Sequence, residues 1–170
     1  NDSRGSIEEI LPAAQQAKLD FLFFSDHPHG DLDTFPRSYH GSYNGIIVEP
    51  GTESSDGLMV CPMESVVLDW GKGQDSIIKE VVDAGGLAIY VHTEEPHDWD
   101  NPYYQAMEIY NIHTDMLDGE KLAPLIINFA VNGKKYRHWS YRELYDEQTE
   151  ILANWDAINL KRTVVGIGAP

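Results

Sequence analysis

The sequence predicts an α/β fold in which parallel strands close into a barrel with helices around it. Three apolar runs carry this prediction, because each ends in a group able to bind metal: residues 21–27, 87–92 and 107–113. Continuous apolar runs are typical of parallel strands that are buried on both faces. An open doubly wound sheet fits the same pattern. Functional residues of a βα barrel lie at the carboxyl ends of its strands, so the repeated polar endings favour a barrel.

The first half of the chain opens with a capping box, in which Ser6 is the N-cap and Glu9 follows three residues later. Apolar side chains at helical spacing follow, and Pro12 falls near the second turn. A loop is expected where Pro, Gly, Asp and Ser are concentrated. In chain order, the predictions are a helix over 6–18, a strand over 20–25, a loop over 28–43, a strand over 45–49, and short strands over 59–61 and 65–68.

The second half alternates strands with helices, which indicates a parallel sheet covered by helices. Its first helix has an apolar face and ends at Gly85-Gly86. In chain order, the predictions are a helix over 74–84, a strand over 87–91, an acidic and aromatic loop over 96–102, a strand over 106–111, helices over 115–130 and 140–158, and a strand over 164–167.

Composition excludes some classes of function. The chain has 170 residues, enough for one domain over residues 1–170. The net charge is −16, so nonspecific binding of nucleic acid to a basic surface is not expected. A metal-filled cleft would still admit a small phosphorylated substrate, because bound cations dominate the local field. Nothing in the sequence sets the oligomeric state.

The compartment is left open by the sequence. No apolar run is long enough to cross a bilayer, so we expect no membrane partner. No signal peptide is visible, but the abrupt start at Asn1 is compatible with a leader that has been removed. A soluble cytoplasmic protein is the default expectation, and a secreted or periplasmic one stays open. The single Cys61 excludes an internal disulfide without deciding between them.

The strongest candidate site residues follow the predicted strands directly. Asp26 and His27 end the first buried strand, and an imidazole beside a carboxylate is suited to metal binding. Glu53 follows a rigid Pro-Gly turn, and a carboxylate there could bridge two cations. His92 ends the clearest strand of the chain. For each residue alone an ordinary turn or packing role is the simpler explanation, and their recurrence at strand ends favours a site.

Weaker candidates come from the same reasoning. Asp69 ends a short apolar run, Glu108 lies inside a predicted strand, and His113 follows that strand. A charge inside a buried strand costs several kcal/mol unless it is paired or metal-bound. Arg37 and His40 are basic groups able to neutralise phosphate oxygens. The sequence contains neither a G-x-S-x-G nucleophile elbow nor a glycine-rich phosphate-binding loop.

Five segments, taken in order, resemble motifs of the PHP domains, named for polymerase and histidinol phosphatase. The resemblance runs over essentially the whole chain and rests on the order and spacing of its motifs. Residues 3–6 resemble the family's S-D-G-S turn, residues 24–27 its I-T-D-H motif, residues 50–53 its P-G-x-E, residues 90–92 its A-x-H-P strand end, and residues 106–111 its G-x-E-x-Y-N segment.

The resemblance implies a distorted seven-stranded (βα)7 barrel that binds up to three Zn, Mn or Fe ions and hydrolyses phosphoesters with metal-activated water. It implies His27, Glu53 and His92 as metal ligands, with Asp26 beside them. The family's opening H-x-H and closing D-x-H are absent from this sequence. A further family histidine is also missing, and only Asp69 stands near its place. We therefore expect a PHP-like barrel that is incomplete at both ends of this chain.

Three functions follow from these patterns. The first is a metal-dependent phosphoesterase, in which Asp26, Arg37 and His40 are the candidate catalytic residues. The second is a PHP-like structural or metal-binding module without catalysis, since half of the family's ligand motifs are missing. The third is another metal-dependent barrel hydrolase, acting on C–N or C–O bonds. Specificity would lie in the loops over 28–43 and 93–104, which do not reveal the substrate.

Overall fold

A computed structural model of the chain describes residues 6–27, 40–64, 66–111, 119–136 and 148–169. Arg37 and His113 lie outside these residues, as does most of the loop predicted over 28–43. The chain divides into two compact units, residues 1–89 with 100–104 and residues 90–99 with 105–170. A single domain over 1–170 stays a prediction.

The described residues form four α-helices and seven strands. The helices are α1 (Ile7–Gln16), α2 (Gln74–Asp83), α3 (Gly119–Asn132) and α4 (Thr149–Asn159). The strands are β1 (Phe21–Asp26), β2 (Gly41–Tyr43), β3 (Ile46–Glu53), β4 (Leu58–Cys61), β5 (Leu87–Tyr90), β6 (Ala106–Asn111) and β7 (Val165–Ala169). None of the described helices has the length and apolar character needed to span a membrane.

The first unit is built on α1 and the parallel pair β1 and β3. The predicted capping box is present, with the Ser6 amide donating to Glu9 Oε2 at 3.1 Å. The apolar face of α1 packs on the sheet, where Ala14 joins a buried cluster with Ile46 and Val48 of β3. This packing covers one face of the strands that carry Asp26 and Glu53 at their ends.

The prediction of a PHP-like distorted (βα)7 barrel, incomplete at both ends, is wrong. β2, β3 and β4 follow one another without an intervening helix, and β3 pairs antiparallel with both of the others. A βα barrel requires parallel neighbours joined by crossover helices. The physical reason lies in a tight turn at Asn44-Gly45, where φ is 53° and 88°. Two successive positive φ values produce a two-residue hairpin turn, which folds β3 back beside β2.

β3 also runs further than the sequence predicts, continuing through Pro50 and Gly51 to Glu53. The Ile47 amide donates to Asp20 on the β1 side, so alternation directs the Pro50 nitrogen to the opposite side. On that side β2 pairs only with residues 46–48 and β4 only with residues 52–53. Pro50 therefore lies between two partners, where its missing N–H removes no ladder hydrogen bond.

The other predictions for the first unit hold in part. β4 is a fully buried strand, and α2 buries Ile77, Ile78 and Val81 as expected. The strand predicted over 65–68 is not formed by residues 66–68. Packing is tightest at Gly51, where an added Cβ would lie 2.8 Å from both the Cys61 sulfur and the Phe24 carbonyl oxygen. A glycine is therefore required where β1, β3 and β4 meet.

The second unit is built on the parallel pair β6 and β7, with α4 beside them. Ala106 pairs with Val165 at one end and Asn111 with Ala169 at the other. The register shifts between Glu108 and Tyr110, which marks a β-bulge. An added Cβ at Gly166 would lie 2.7 Å from Ile109 and 3.2 Å from the Trp155 ring, so α4 packs closely on these strands.

Candidate functional site

Polar side chains gather at strand ends in each of the two units. The first cluster comprises Asp26, His27, Thr52 and Glu53. β1 and β3 run parallel with Asp26 opposite Thr52, so both strands end at the same edge. The Thr52 hydroxyl donates to the Asp26 carbonyl oxygen at 2.8 Å and ties the two ends together. The predicted neighbours Asp26, His27 and Glu53 are thus brought together within the first unit.

The imidazole of His27 is held by the backbone of Glu53. Its Nδ1 lies 2.9 Å from the Glu53 carbonyl oxygen. A carbonyl oxygen only accepts, so Nδ1 carries a hydrogen, and in a neutral ring the lone pair is then on Nε2. Metal-binding histidines use this arrangement, in which a hydrogen bond at one ring nitrogen sets the tautomer and orientation of the other.

Two other predicted residues of the first unit have local partners. The Nε2 atom of His40 lies 3.5 Å from Glu49 Oε2, and about half of the His40 side chain (48%) is exposed. Asp69 Oδ1 accepts from the Gly71 amide at 3.1 Å and caps the 3-10 turn at Trp70–Lys72. The structure therefore supplies a capping role for Asp69 and a neighbouring carboxylate for His40.

The second cluster comprises His92, Glu94, His97, Glu108 and Asn111. His92 follows β5 and has a φ of +50°, a left-handed conformation that few residues other than glycine adopt. Its Nδ1 lies 3.4 Å from Glu94 Oε1. In a neutral ring, a hydrogen on Nδ1 satisfies that carboxylate, and the lone pair is again on Nε2. His92 thus resembles His27 in having Nδ1 near a protein oxygen, but at a longer distance and against a side-chain carboxylate.

Glu108 is buried in β6, with 2% of its surface exposed. Its Oε2 accepts from the His92 amide at 2.9 Å and from Asn111 Nδ2 at 2.7 Å. Burial raises the pKa of Glu108, while these two hydrogen bonds and the charge of His92 act to lower it. The Thr93 hydroxyl donates to the Glu108 carbonyl oxygen at 2.7 Å. Glu108 therefore contacts the turn after β5 with both backbone and side chain.

The β-bulge in β6 explains how Glu108 reaches Asn111. Residues three apart in a regular strand point to opposite faces of the sheet. The register shift between Glu108 and Tyr110 inserts one extra residue, so that Glu108 and Asn111 come to the same face. Nothing in the sequence marks this bulge. The segment itself was predicted as a strand with Glu108 in need of a partner, and both points are confirmed.

His97 was not among the predicted site residues. Its Nε2 donates to the His92 carbonyl oxygen at 3.1 Å, and its ring stacks on Tyr90 with centroids 4.6 Å apart. Trp99 meets the same ring edge-on at 5.1 Å. The Nδ1 atom of His97 is buried and has no hydrogen-bond partner among the described residues. The only feature of the sequence that marks His97 is its place between the aromatic residues Tyr90 and Trp99, after the predicted strand over 87–91.

Side chains able to bind metal are dispersed among the described residues. In ranges 6–27, 40–64, 66–111, 119–136 and 148–169, no group of three or more His, Cys, Asp or Glu side chains is placed to hold an ion. The chemistry of the donors nevertheless fits a divalent cation, because imidazoles and carboxylates such as those of His27, His92 and Glu53 are side chains that bind metals. The ligand set of His27, Glu53 and His92 stays a prediction.

Comparisons with family models, with curated proteins and with solved structures find no significant match to this chain.

Proposed function

We propose that the chain is a metal-dependent hydrolase that cleaves phosphoesters, with His27, Glu53 and His92 as metal ligands. The observation that supports the proposal is that Nδ1 of both histidines faces a protein oxygen. Each follows a strand, and each has Nδ1 against a protein oxygen, at 2.9 Å for His27 and 3.4 Å for His92. Such partners raise the basicity of the opposite nitrogen and orient it toward an ion.

The remaining residues have roles that follow from their charge and place. A bound divalent cation supplies a water of lowered pKa and positive charge for phosphate oxygens. Glu53 offers an anionic ligand beside His27, and Asp26 offers a carboxylate that would accept a proton. Arg37 and His40 would neutralise phosphate oxygens. Zn, Mn and Fe are the candidate metals.

The acidic composition makes activity depend on cations. A net charge of −16 repels an anionic substrate unless bound cations reverse the field locally. Histidines bind metal in their neutral form, so protons compete with the metal and metal affinity should decrease in acid. A small phosphorylated molecule is therefore the proposed substrate, and metal-free protein is expected to be inactive toward it.

The test measures metal binding before activity. The protein is freed of metal with a chelator and titrated with Zn²⁺ or Mn²⁺ by calorimetry, and phosphate release from p-nitrophenyl phosphate and its diester is then followed. We expect H27Q, E53Q and H92N each to weaken metal binding about 10-fold or more and to abolish metal-stimulated hydrolysis.

E80Q is the matched control for E53Q. Glu80 lies on α2, where it pairs with Lys72 at 3.4 Å in an exposed position. It should bind metal and hydrolyse phosphoesters as the wild type does. Failure of the wild type to bind either metal would reject the proposal. Cleavage of amides or lactones, without cleavage of phosphoesters, would instead indicate a metal-dependent hydrolase of C–N or C–O bonds.

A further inference from the structure

We propose that Glu108 is a positioning residue for His92, holding the His92 backbone in its left-handed conformation so that the imidazole is directed toward the metal. The inference rests on the proposed role of His92 as a ligand. It assigns Glu108 no contact with the metal or the substrate.

The His92 conformation requires support from its surroundings. A left-handed backbone costs an L-residue other than glycine about 1–2 kcal/mol, and His92 has a φ of +50°. Such conformations persist where the surrounding structure determines them, and they concentrate at functional sites. The conformation also sets the direction of the Cα–Cβ bond and hence the position of the ring.

Hydrogen bonds hold His92 on both sides of its backbone. On the amide side, the His92 N–H donates to Glu108 Oε2 at 2.9 Å. On the carbonyl side, the His92 oxygen accepts from the Glu95 amide at 2.9 Å and from His97 Nε2 at 3.1 Å. The carbonyl contacts come from the same turn, whereas Glu108 comes from β6. Glu108 therefore ties the turn to the sheet.

The carboxylate is itself fixed in place. Asn111 donates to the same Oε2 atom at 2.7 Å, so two donors determine where this oxygen lies. An unpaired buried carboxylate is destabilising by several kcal/mol, so a carboxylate at this buried position requires hydrogen-bond donors. The need for a group that accepts the hydrogen bond of the His92 amide explains why a carboxylate occupies this position.

A purely structural role would be to link β6 with the turn after β5. Thr93 already provides such a link, because its hydroxyl donates to the Glu108 carbonyl oxygen at 2.7 Å. T93V removes this link and keeps the size of the side chain, without touching the His92 amide. It is therefore the control that separates linking the elements from positioning His92.

The test compares E108Q, E108L and T93V in the full chain. Glutamine keeps an oxygen that accepts from the His92 amide, whereas leucine removes it at similar volume. We expect E108L to weaken Zn²⁺ binding about 10- to 100-fold, with E108Q close to the wild type and T93V unchanged. The ¹⁵N shifts of the His92 ring should show a defined Nδ1–H tautomer in the wild type, E108Q and T93V, and a mixture in E108L.

Two results would overturn the inference: E108L with wild-type Zn²⁺ affinity and ring tautomer, or T93V as impaired as E108L. If E108L does not fold, hydrogen exchange in the wild type decides the matter, since an unprotected His92 amide contradicts the hydrogen bond to Glu108. A wild-type protein that binds no Zn²⁺ would reject the proposed function, while the ring tautomer and amide protection would still test the positioning role.

Discussion

Cys61 ends β4 at the point where Gly51 of β3 approaches its sulfur. Burial raises the pKa of the thiol to about 12, and the negative charge of Glu49 acts in the same direction. In an unfolded chain a cysteine ionises near pH 8.5 (about 8 to 9). The thiol therefore stays protonated in the folded protein across a range in which it ionises in the unfolded one.

This difference predicts that stability decreases at alkaline pH. Between about pH 9 and 12 the unfolded chain binds fewer protons than the folded one, so stability drops as the pH rises. The stabilisation is complete below this range, and one thiol changes stability by at most about 1.4 kcal/mol per pH unit. Urea unfolding of wild type and C61A at pH 8 and pH 10 should show their difference decreasing by about 1–2 kcal/mol. An unchanged difference would contradict the raised pKa.

At the scale of elements, three side-chain hydrogen bonds fasten the end of α4 to the start of β7. Trp155 Nε1 donates to the Val164 carbonyl oxygen at 2.8 Å. Asn159 donates to the same oxygen at 3.1 Å and accepts from the Val164 amide at 3.1 Å. Asn159 therefore satisfies both polar groups of a backbone unit that lies in the turn between helix and strand.

The matching prediction is that N159A destabilises the protein by about 1–3 kcal/mol, because two backbone groups of Val164 lose a partner. N132A is the control, since the half-buried Asn132 side chain donates to Asn128 Oδ1 at 2.9 Å within α3. It should change stability by less than about 0.5 kcal/mol. Both variants are measured by urea unfolding. Equal effects would show that the hydrogen bonds between Asn159 and Val164 stabilise the protein no more than the pair within α3 does.

α1 and α2, which periodicity and capping decide, form where they are predicted, and so do the strands β1 and β6. The expectation that β1 is buried on both faces is wrong, because Phe21 and Phe23 on one face are 60% and 42% exposed. Elements whose limits depend on pairing are predicted poorly. Pro50-Gly51 was expected to end β3, yet the strand continues because Pro50 lies between two partner strands. Asn44-Gly45 is a hairpin signal in the sequence itself, and the antiparallel pairing that it produces is incompatible with the predicted barrel.

At the scale of the whole molecule, the net charge of −16 opposes compaction. Raising NaCl from about 10 mM to 150 mM shortens the Debye length from about 30 Å to 8 Å and screens this repulsion. We expect the midpoint of thermal unfolding to increase with salt when a chelator is present to exclude metal binding.

A charge-reduced variant provides the control for the salt effect. Glu64 and Asp156 are exposed acidic residues in the described part of the chain. E64Q/D156N should raise the unfolding midpoint at low salt and reduce its response to NaCl. A midpoint that decreases with salt, or an unchanged response in the variant, would show that self-repulsion does not limit stability.

The sequence by itself determined the helices and strands with strong local patterns, the acidic character, and the polar residues that end the strands. Tertiary structure decided how those strands pair and which polar groups meet. The tautomer of His27 depends on the Glu53 carbonyl, and Glu108 reaches Asn111 only through a bulge. The reason is physical: periodicity and capping act between near neighbours in the chain, whereas register, bulges and hydrogen-bond partners depend on residues that only folding brings together.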